Sequence, residues 1–233
     1  MKITERDIEV MGWILEQKFM IEKQVRRVFW KGVSRKSCAV SKRLNKLQEE
    51  GFLKVNKERM YGSLVYLVTR KGVGQLKEFN RSRGLGEVRE ADYSNYRHDL
   101  AVTDIRILFH ELGYTDWESE RVLSKSNDLS RVPDGMIFNK DKYIAVEYES
   151  SQKSKERYRE IFYRYELDSH INKVLYIADT RQRAEKLTRE VSACSKPHFV
   201  SLGDIQRDRV KARLKNIEGE CSLDELLGAG QDE

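Results

Sequence analysis

Two apolar runs separated by a polar turn, Val132-Pro133-Asp134-Gly135-Met136-Ile137-Phe138 and Tyr143-Ile144-Ala145-Val146-Glu147-Tyr148-Glu149-Ser150, constrain this chain more than any other segment. Both have the length and β-branched or aromatic content of strands, with a hairpin across Asn139-Lys140-Asp141 between them. Strand alternation puts Ile144, Val146 and Tyr148 on one face and Ala145, Glu147 and Glu149 on the other. A desolvated carboxylate is costly unless it meets a cation or a metal, so acids on such strands point to chemistry. Asp134, opening the first strand after a proline, sits opposite the two glutamates if the strands pair as a short hairpin. Lys153, four residues beyond Glu149 at the start of the next helix, is within reach of the same place.

The chain around this pair predicts one α/β domain. His98 to Leu112 fits an amphipathic helix closed by Gly113, and Tyr114 to Leu123 reads as extended. Lys155 to His170 is a helix with Tyr158, Ile161, Phe162 and Tyr165 on one side. Lys173 to Ala178 is a continuous apolar run suited to a central buried strand. A helix over Arg181 to Ala193 and a strand over His198 to Leu202 follow. The order α-β-β-β-α-β-α-β predicts an α/β sandwich around a central mixed sheet over residues 96–217. Residues 76–95, rich in glycine and mixed charge, read as a linker. Residues 218–233 carry six acids and no Lys or Arg, and read as an acidic tail or a short helix anchored by Leu223, Leu226 and Leu227.

Charge separates the N-terminal part from the rest. Residues 1–75 hold 17 Lys and Arg against 8 Asp and Glu, a balance of +9, while the remainder carries −3 of the total +6. A basic footprint confined to one segment predicts a polyanion-binding module there. Thr4 with Glu5 and Asp7 marks a helix start, Ile21 to Phe29 fits a second helix, and Ser34 to Gly51 a third. On the third, Val40, Leu44 and Leu47 share one face, while Arg35, Cys38, Lys42, Asn45 and Lys46 share the other. Strands over Phe52 to Val55 and Leu64 to Val68 flank a polar turn containing Lys57 and Arg59.

Three helices and a hairpin in this order resemble a winged helix-turn-helix over residues 4–72. That resemblance implies that Arg35, Lys42, Asn45 and Lys46 face the major groove of double-stranded DNA and that Lys57 and Arg59 meet phosphates.

Composition closes off several other classes. A mean hydropathy of −0.70 and 35% charged residues describe a chain without a membrane span. The N-terminus MKITERDIEV lacks the apolar core of a signal peptide, so a cytoplasmic location is expected. Three dispersed cysteines, Cys38, Cys194 and Cys221, indicate reduced thiols rather than a disulfide framework or a zinc knuckle.

The second domain resembles the PD-(D/E)XK nuclease superfamily. The resemblance assigns Asp134 and Glu147 as metal ligands, with Glu149 standing where the motif has lysine. Either Lys153 swings into the site or Glu149 becomes a third ligand. Glu120, ahead of Glu118, is the candidate upstream acid, and His98 a candidate contact to phosphate or metal-bound water. Hard carboxylate ligands suit Mg²⁺ or Mn²⁺.

Over nearly the whole chain, Arg97-His98-Asp99-Leu100, Trp117-Glu118-Ser119-Glu120-Arg121, VPDG and AVEYESSQKSKERY in that order resemble the MobC-class plasmid relaxases and related replication-relaxation proteins. The resemblance implies recognition and nicking of a plasmid transfer origin, with relaxosome accessory and coupling proteins as partners and a homodimer as a possible assembly. Tyr148 and Tyr158 stand near the expected site, Tyr148 reading as core and Tyr158 as part of a helix stripe, and a covalent tyrosine mechanism stays open beside hydrolysis. A non-enzymatic DNA-binding regulator on a degenerate nuclease fold is the alternative reading. A double-strand endonuclease is a third.

Overall fold

The structure, a computed structural model, describes residues 2–34, 36–56, 62–126, 128–140, 142–191 and 194–228. The chain divides into two compact units, Met1–Ile107 and Leu108–Glu233.

In the first unit, α1 (Glu5–Glu16) starts at a capping box in which Thr4 accepts from the Asp7 N–H and Asp7 accepts from the Thr4 N–H. A two-residue strand β1 (Met20–Ile21) precedes α2 (Glu22–Phe29). The third helix, α3, runs Ala39–Glu49. It begins five residues after Ser34, the expected cap, and stops at Gly51, whose φ of +76° is the left-handed conformation glycine adopts freely. Strands β2 (Leu53–Val55) and β3 (Val65–Val68) complete an antiparallel sheet in the order β1-β3-β2.

Two further elements belong to this unit. Thr69 caps α4 (Arg70–Glu78), accepting from the Gly72 N–H at 3.1 Å. A Cβ at Gly72 would run into the Phe52 carbonyl, so glycine at this position is a packing requirement. Beyond it Leu85 and Ala91 are buried, and Ala91 packs with Phe19, Val65, Leu67 and Tyr96.

The boundary between units falls inside α5 (Tyr96–Glu111), beyond the 76–95 stretch read as a linker. The first three turns of α5 are tied into the first unit. Lys18 pairs with Asp99 at 2.9 Å, Gln24 donates to the Leu100 carbonyl at 3.0 Å, and Glu16 pairs with buried Arg106 at 2.9 Å. The guanidinium of Arg106 lies 3.9 Å from the Trp13 ring centroid.

The second unit is a seven-stranded mixed sheet with helices. After β4 (Trp117–Ser119) and the single-turn α6 (Glu120–Leu123) come β5 (Gly135–Asn139) and β6 (Lys142–Glu149). Helix α7 (Lys155–Leu167) leads to β7 (Lys173–Ala178), and α8 (Arg181–Glu190) to β8 (Pro197–Ser201). Of the two expectations for the acidic C-terminal stretch, a tail or a helix anchored by its leucines, the described residues to 228 form the second. Helix α9 (Leu202–Asp208) and a 3₁₀ turn lead into the hairpin of β9 (Arg213–Asn216) and β10 (Gly219–Ser222). Then α10 (Leu223–Leu227) buries Leu223, Leu226 and Leu227.

The order across the sheet is β10-β9-β8-β7-β6-β5-β4. Strands β6, β7 and β8 are parallel; the other neighbours are antiparallel. One face carries Met136, Ala145, Val174, Tyr176 and Phe199 against Tyr158, Ile161, Phe162 and Tyr165 of α7 and Ala184 and Leu187 of α8. This is also the face that receives Glu147 and Glu149.

Among the described residues no helix is long and apolar enough to cross a membrane, and all three cysteines are free.

Gly135 of the PDG segment lies under the indole of Trp117, which is buried and stacked on Phe109 with ring centroids 6.3 Å apart. A Cβ there would overlap the ring. Gly135→Ala is expected to cost about 1–3 kcal/mol, as overpacking of a rigid core does, measured by urea unfolding. Unchanged stability would show that the indole yields.

Candidate functional site

Register brings the acids of β5 and β6 together. Gly135 pairs with Val146, and one step further along the ladder Asp134 comes level with Glu147. Because Ser119 pairs with Gly135 and the Glu120 N–H donates to the Asp134 carbonyl at 3.2 Å, Glu120 falls in the same row. The row continues through Tyr176 on β7 to Phe199 on β8. Glu120 is exposed, Asp134 half-buried and Glu147 buried.

Glu147 is the electrostatic centre of this row. It accepts from Arg131 Nε at 2.9 Å and from the Tyr165 hydroxyl. Burial, and after it the charge of Asp134, push its pKa up to about 7, against the contrary pull of Arg131 and Tyr165. Arg131 stays charged: burial works against its charge, and Glu147 outweighs burial. The hydroxyls of Tyr165 and Tyr176 are driven well upward by burial and then by Glu147, so both stay protonated, and that of Tyr165 donates to Glu147. Asp134 Oδ2 accepts the Tyr148 N–H at 2.8 Å, capping a backbone donor where the β5 ladder has run out.

Glu149 projects to the same face but is engaged separately. Its Oε1 accepts from the Ser151 N–H and hydroxyl at 3.1 and 3.0 Å, while Oε2 is ion-paired with Lys153. The Lys153 N–H in turn donates to the Tyr158 hydroxyl at 3.2 Å, fixing the loop between β6 and α7. Lys153 thus does fold back toward the acids, and it meets Glu149.

The three acids share a face without forming one centre. Among the described residues no three His, Cys, Asp or Glu are grouped so as to hold a metal ion. The Asp134–Glu147 pair by itself fits a divalent ion in donor chemistry. Mg²⁺ needs only one or two carboxylates alongside substrate phosphate, and a cation beside Glu147 would offset the burial and the Asp134 charge that oppose its ionisation.

His98 belongs to the first unit, on the first turn of α5, with Nδ1 3.7 Å from Asp99 Oδ1; the carboxylates belong to the second. On α3, Lys42, Asn45 and Lys46 are exposed while Val40, Leu44 and Leu47 are buried. Lys46 lies 3.7 Å from both Glu49 and Glu50. Arg35, Lys57 and Arg59 lie outside the described residues.

Arg131 and Tyr165 were missed as members of the site. The signal was present: a buried strand glutamate needs a cation and donors. Arg131 stands just before the VPDG segment, and Tyr165 continues the apolar stripe of α7.

A family model for replication-relaxation proteins matches residues 11–167. The chain belongs to the replication-relaxation family. Membership points to a role in plasmid replication or mobilisation, and the matched segment includes the whole Asp134–Glu147–Lys153 region. No curated protein and no solved structure matches this replication-relaxation protein.

The raised pKa of Glu147 has a definite sign in stability. Between its ordinary value of 4.5 and about 7 the folded state keeps a proton that the unfolded chain has lost, so Glu147 costs stability as pH rises through that window. Glu147→Gln removes this dependence. The melting temperature of the variant relative to the unsubstituted protein should climb from pH 4.5 to pH 7 in differential scanning fluorimetry. A constant difference would place the proton elsewhere.

Proposed function

We propose that this protein is a plasmid mobilisation relaxase, a metal-dependent nickase that recognises and cuts a transfer origin. The observation that carries the reading is the pair of carboxylates, Asp134 and Glu147, set side by side at the ends of β5 and β6 in a chain of the replication-relaxation family. On this reading the second unit is a nuclease-like sandwich. The first is a winged helix that grips duplex DNA through the exposed face of α3, with Lys42, Asn45 and Lys46, and through Arg35, Lys57 and Arg59. Relaxosome accessory proteins, coupling proteins and a second copy of the chain are the partners it implies.

Asp134 and Glu147 would hold Mg²⁺ or Mn²⁺, which supplies Lewis-acid stabilisation of phosphoryl oxygens and a more acidic bound water. The protein groups do the rest. Tyr165 and Arg131 orient the Glu147 carboxylate and favour its ionised form against burial. Lys153, held by Glu149 and by the loop contact to Tyr158, brings an ammonium to the same end of the sheet, where it offsets charge developing on a phosphate.

A second reading, a non-enzymatic DNA-binding regulator, is favoured by one specific observation. Glu147 and Glu149 already each have a protein cation, Arg131 and Lys153.

The two readings part in a nicking assay on supercoiled plasmid carrying its own origin, with Mg²⁺ or Mn²⁺. The nickase yields open circles, and Asp134→Ala and Glu147→Gln lower the rate by about 100-fold or more, the loss typical of disrupting charge stabilisation at a reacting phosphate. Origin binding without open circles in either metal would leave the regulator standing.

A further inference from the structure

Beside the carboxylates lies a second feature that the nickase reading touches only at Lys153. A cavity of about 120 Å³ opens between α7 and α8, lined by Lys153, Lys155, Tyr158, Arg183, Lys186 and Glu190. Four cations and one acid face this space. It sits at the carboxyl ends of the parallel strands β6 and β7, where open α/β sheets take their ligands. The first turn of α7, a helix of 13 residues capped by Ser154, forms part of its wall.

Neighbouring acids hold three of the cations in place. Lys153 is ion-paired with Glu149, Lys155 lies 3.3 Å from Glu190, and Arg183 Nε donates to Asp179 at 2.7 Å. Each pair uses only part of the donor capacity, since an ammonium has three N–H donors and a guanidinium five. Lys186 is exposed and has no ion-pair or hydrogen-bond partner among the described residues. The cavity therefore presents fixed donors and a surplus positive charge to whatever enters it. Tetrahedral oxyanions match that chemistry, and neutral or cationic ligands do not.

We propose that this cavity is a phosphate subsite that takes a backbone phosphodiester of a DNA strand, next to the one addressed by Asp134 and Glu147. The proposal rests on the nickase reading for its choice of DNA. Lys153 is common to both places, pairing with Glu149 on one side and lining the cavity on the other. A strand seated there would be fixed in direction relative to the carboxylates.

Site-resolved lysine acetylation of the full chain, read by mass spectrometry, tests this without requiring cleavage. With a saturating single-stranded oligonucleotide of about 20 residues, low salt and no divalent metal, acetylation at Lys155 and Lys186 should slow about fivefold. Lys215, exposed in the same unit, should change little. Lys186→Glu, a surface substitution, should weaken oligonucleotide binding by about threefold or more in fluorescence anisotropy. Equal acetylation of Lys155 and Lys186 with and without DNA overturns the proposal, including the case in which only Lys42 of the first unit is protected. Equal protection by inorganic phosphate at the same phosphate concentration overturns the assignment to a DNA strand. Protection without nicking in the plasmid assay removes the nickase and keeps the subsite, and nicking without protection does the reverse.

Discussion

A glutamate on a central strand, covered by a helix, cannot be left alone, and the architecture of the second unit is organised around answering Glu147. Its carboxylate is buried beneath α7, where an isolated charge would cost several kcal/mol. Three groups meet it from three elements: Arg131 from the segment before β5, Tyr165 from α7, and Asp134 from the neighbouring strand. Two of these favour ionisation and the third opposes it. The outcome is a carboxyl whose pKa of about 7 leaves it divided between its two forms near neutral pH.

The sheet order explains why the acids can gather at all. An antiparallel β5–β6 pair puts the beginning of one strand beside the end of the other, so Asp134 and Glu147 occupy a single rung. The parallel β6–β7–β8 run then sends α7 and α8 across the same face, which buries the rung and supplies Tyr165. Had β6 and β7 been antiparallel, a short turn would have sufficed between them and no helix need have covered the acids.

Much of this was legible in the sequence because it depends on local periodicity. Alternation in Tyr143–Glu149 placed Glu147 and Glu149 on one face, and the apolar run Lys173–Ala178 is the strand it resembled. The Thr4 cap and the stop at Gly51 also follow from side-chain and backbone chemistry visible at single residues. What failed was an inference drawn from glycine and mixed charge. Residues 76–95 suggested a linker, yet α4 runs on to Glu78, and Leu85 and Ala91 are buried. The acidic C-terminal segment read as a tail or a leucine-anchored helix; the leucine spacing pointed to the helix that forms, while its acid content gave no sign that Gly219–Ser222 pairs with Arg213–Asn216. The site was only half legible for the same reason. Spacing identifies which acids share a face, but which cation each one meets is settled by the path of the loop before β5 and the loop after β6.

Those two loops give the two glutamates unlike partners, and the difference bears on what each can do. Arg131 is an always-charged planar group, largely covered, fixed to Glu147 and lying 5.9 Å from the Tyr165 ring centroid. Lys153 is a flexible ammonium about a third exposed, held by Glu149 at the lip of a basic cavity. A guanidinium seated in that way organises a carboxylate and is hard to displace. An ammonium at a solvent edge can leave one anion for another at little cost, because water and the incoming charge both compensate for the pair it breaks. Glu149 and Lys153, four residues apart, pair across the loop between β6 and α7, so the more readily displaced of the two cations is the one that also lines the cavity.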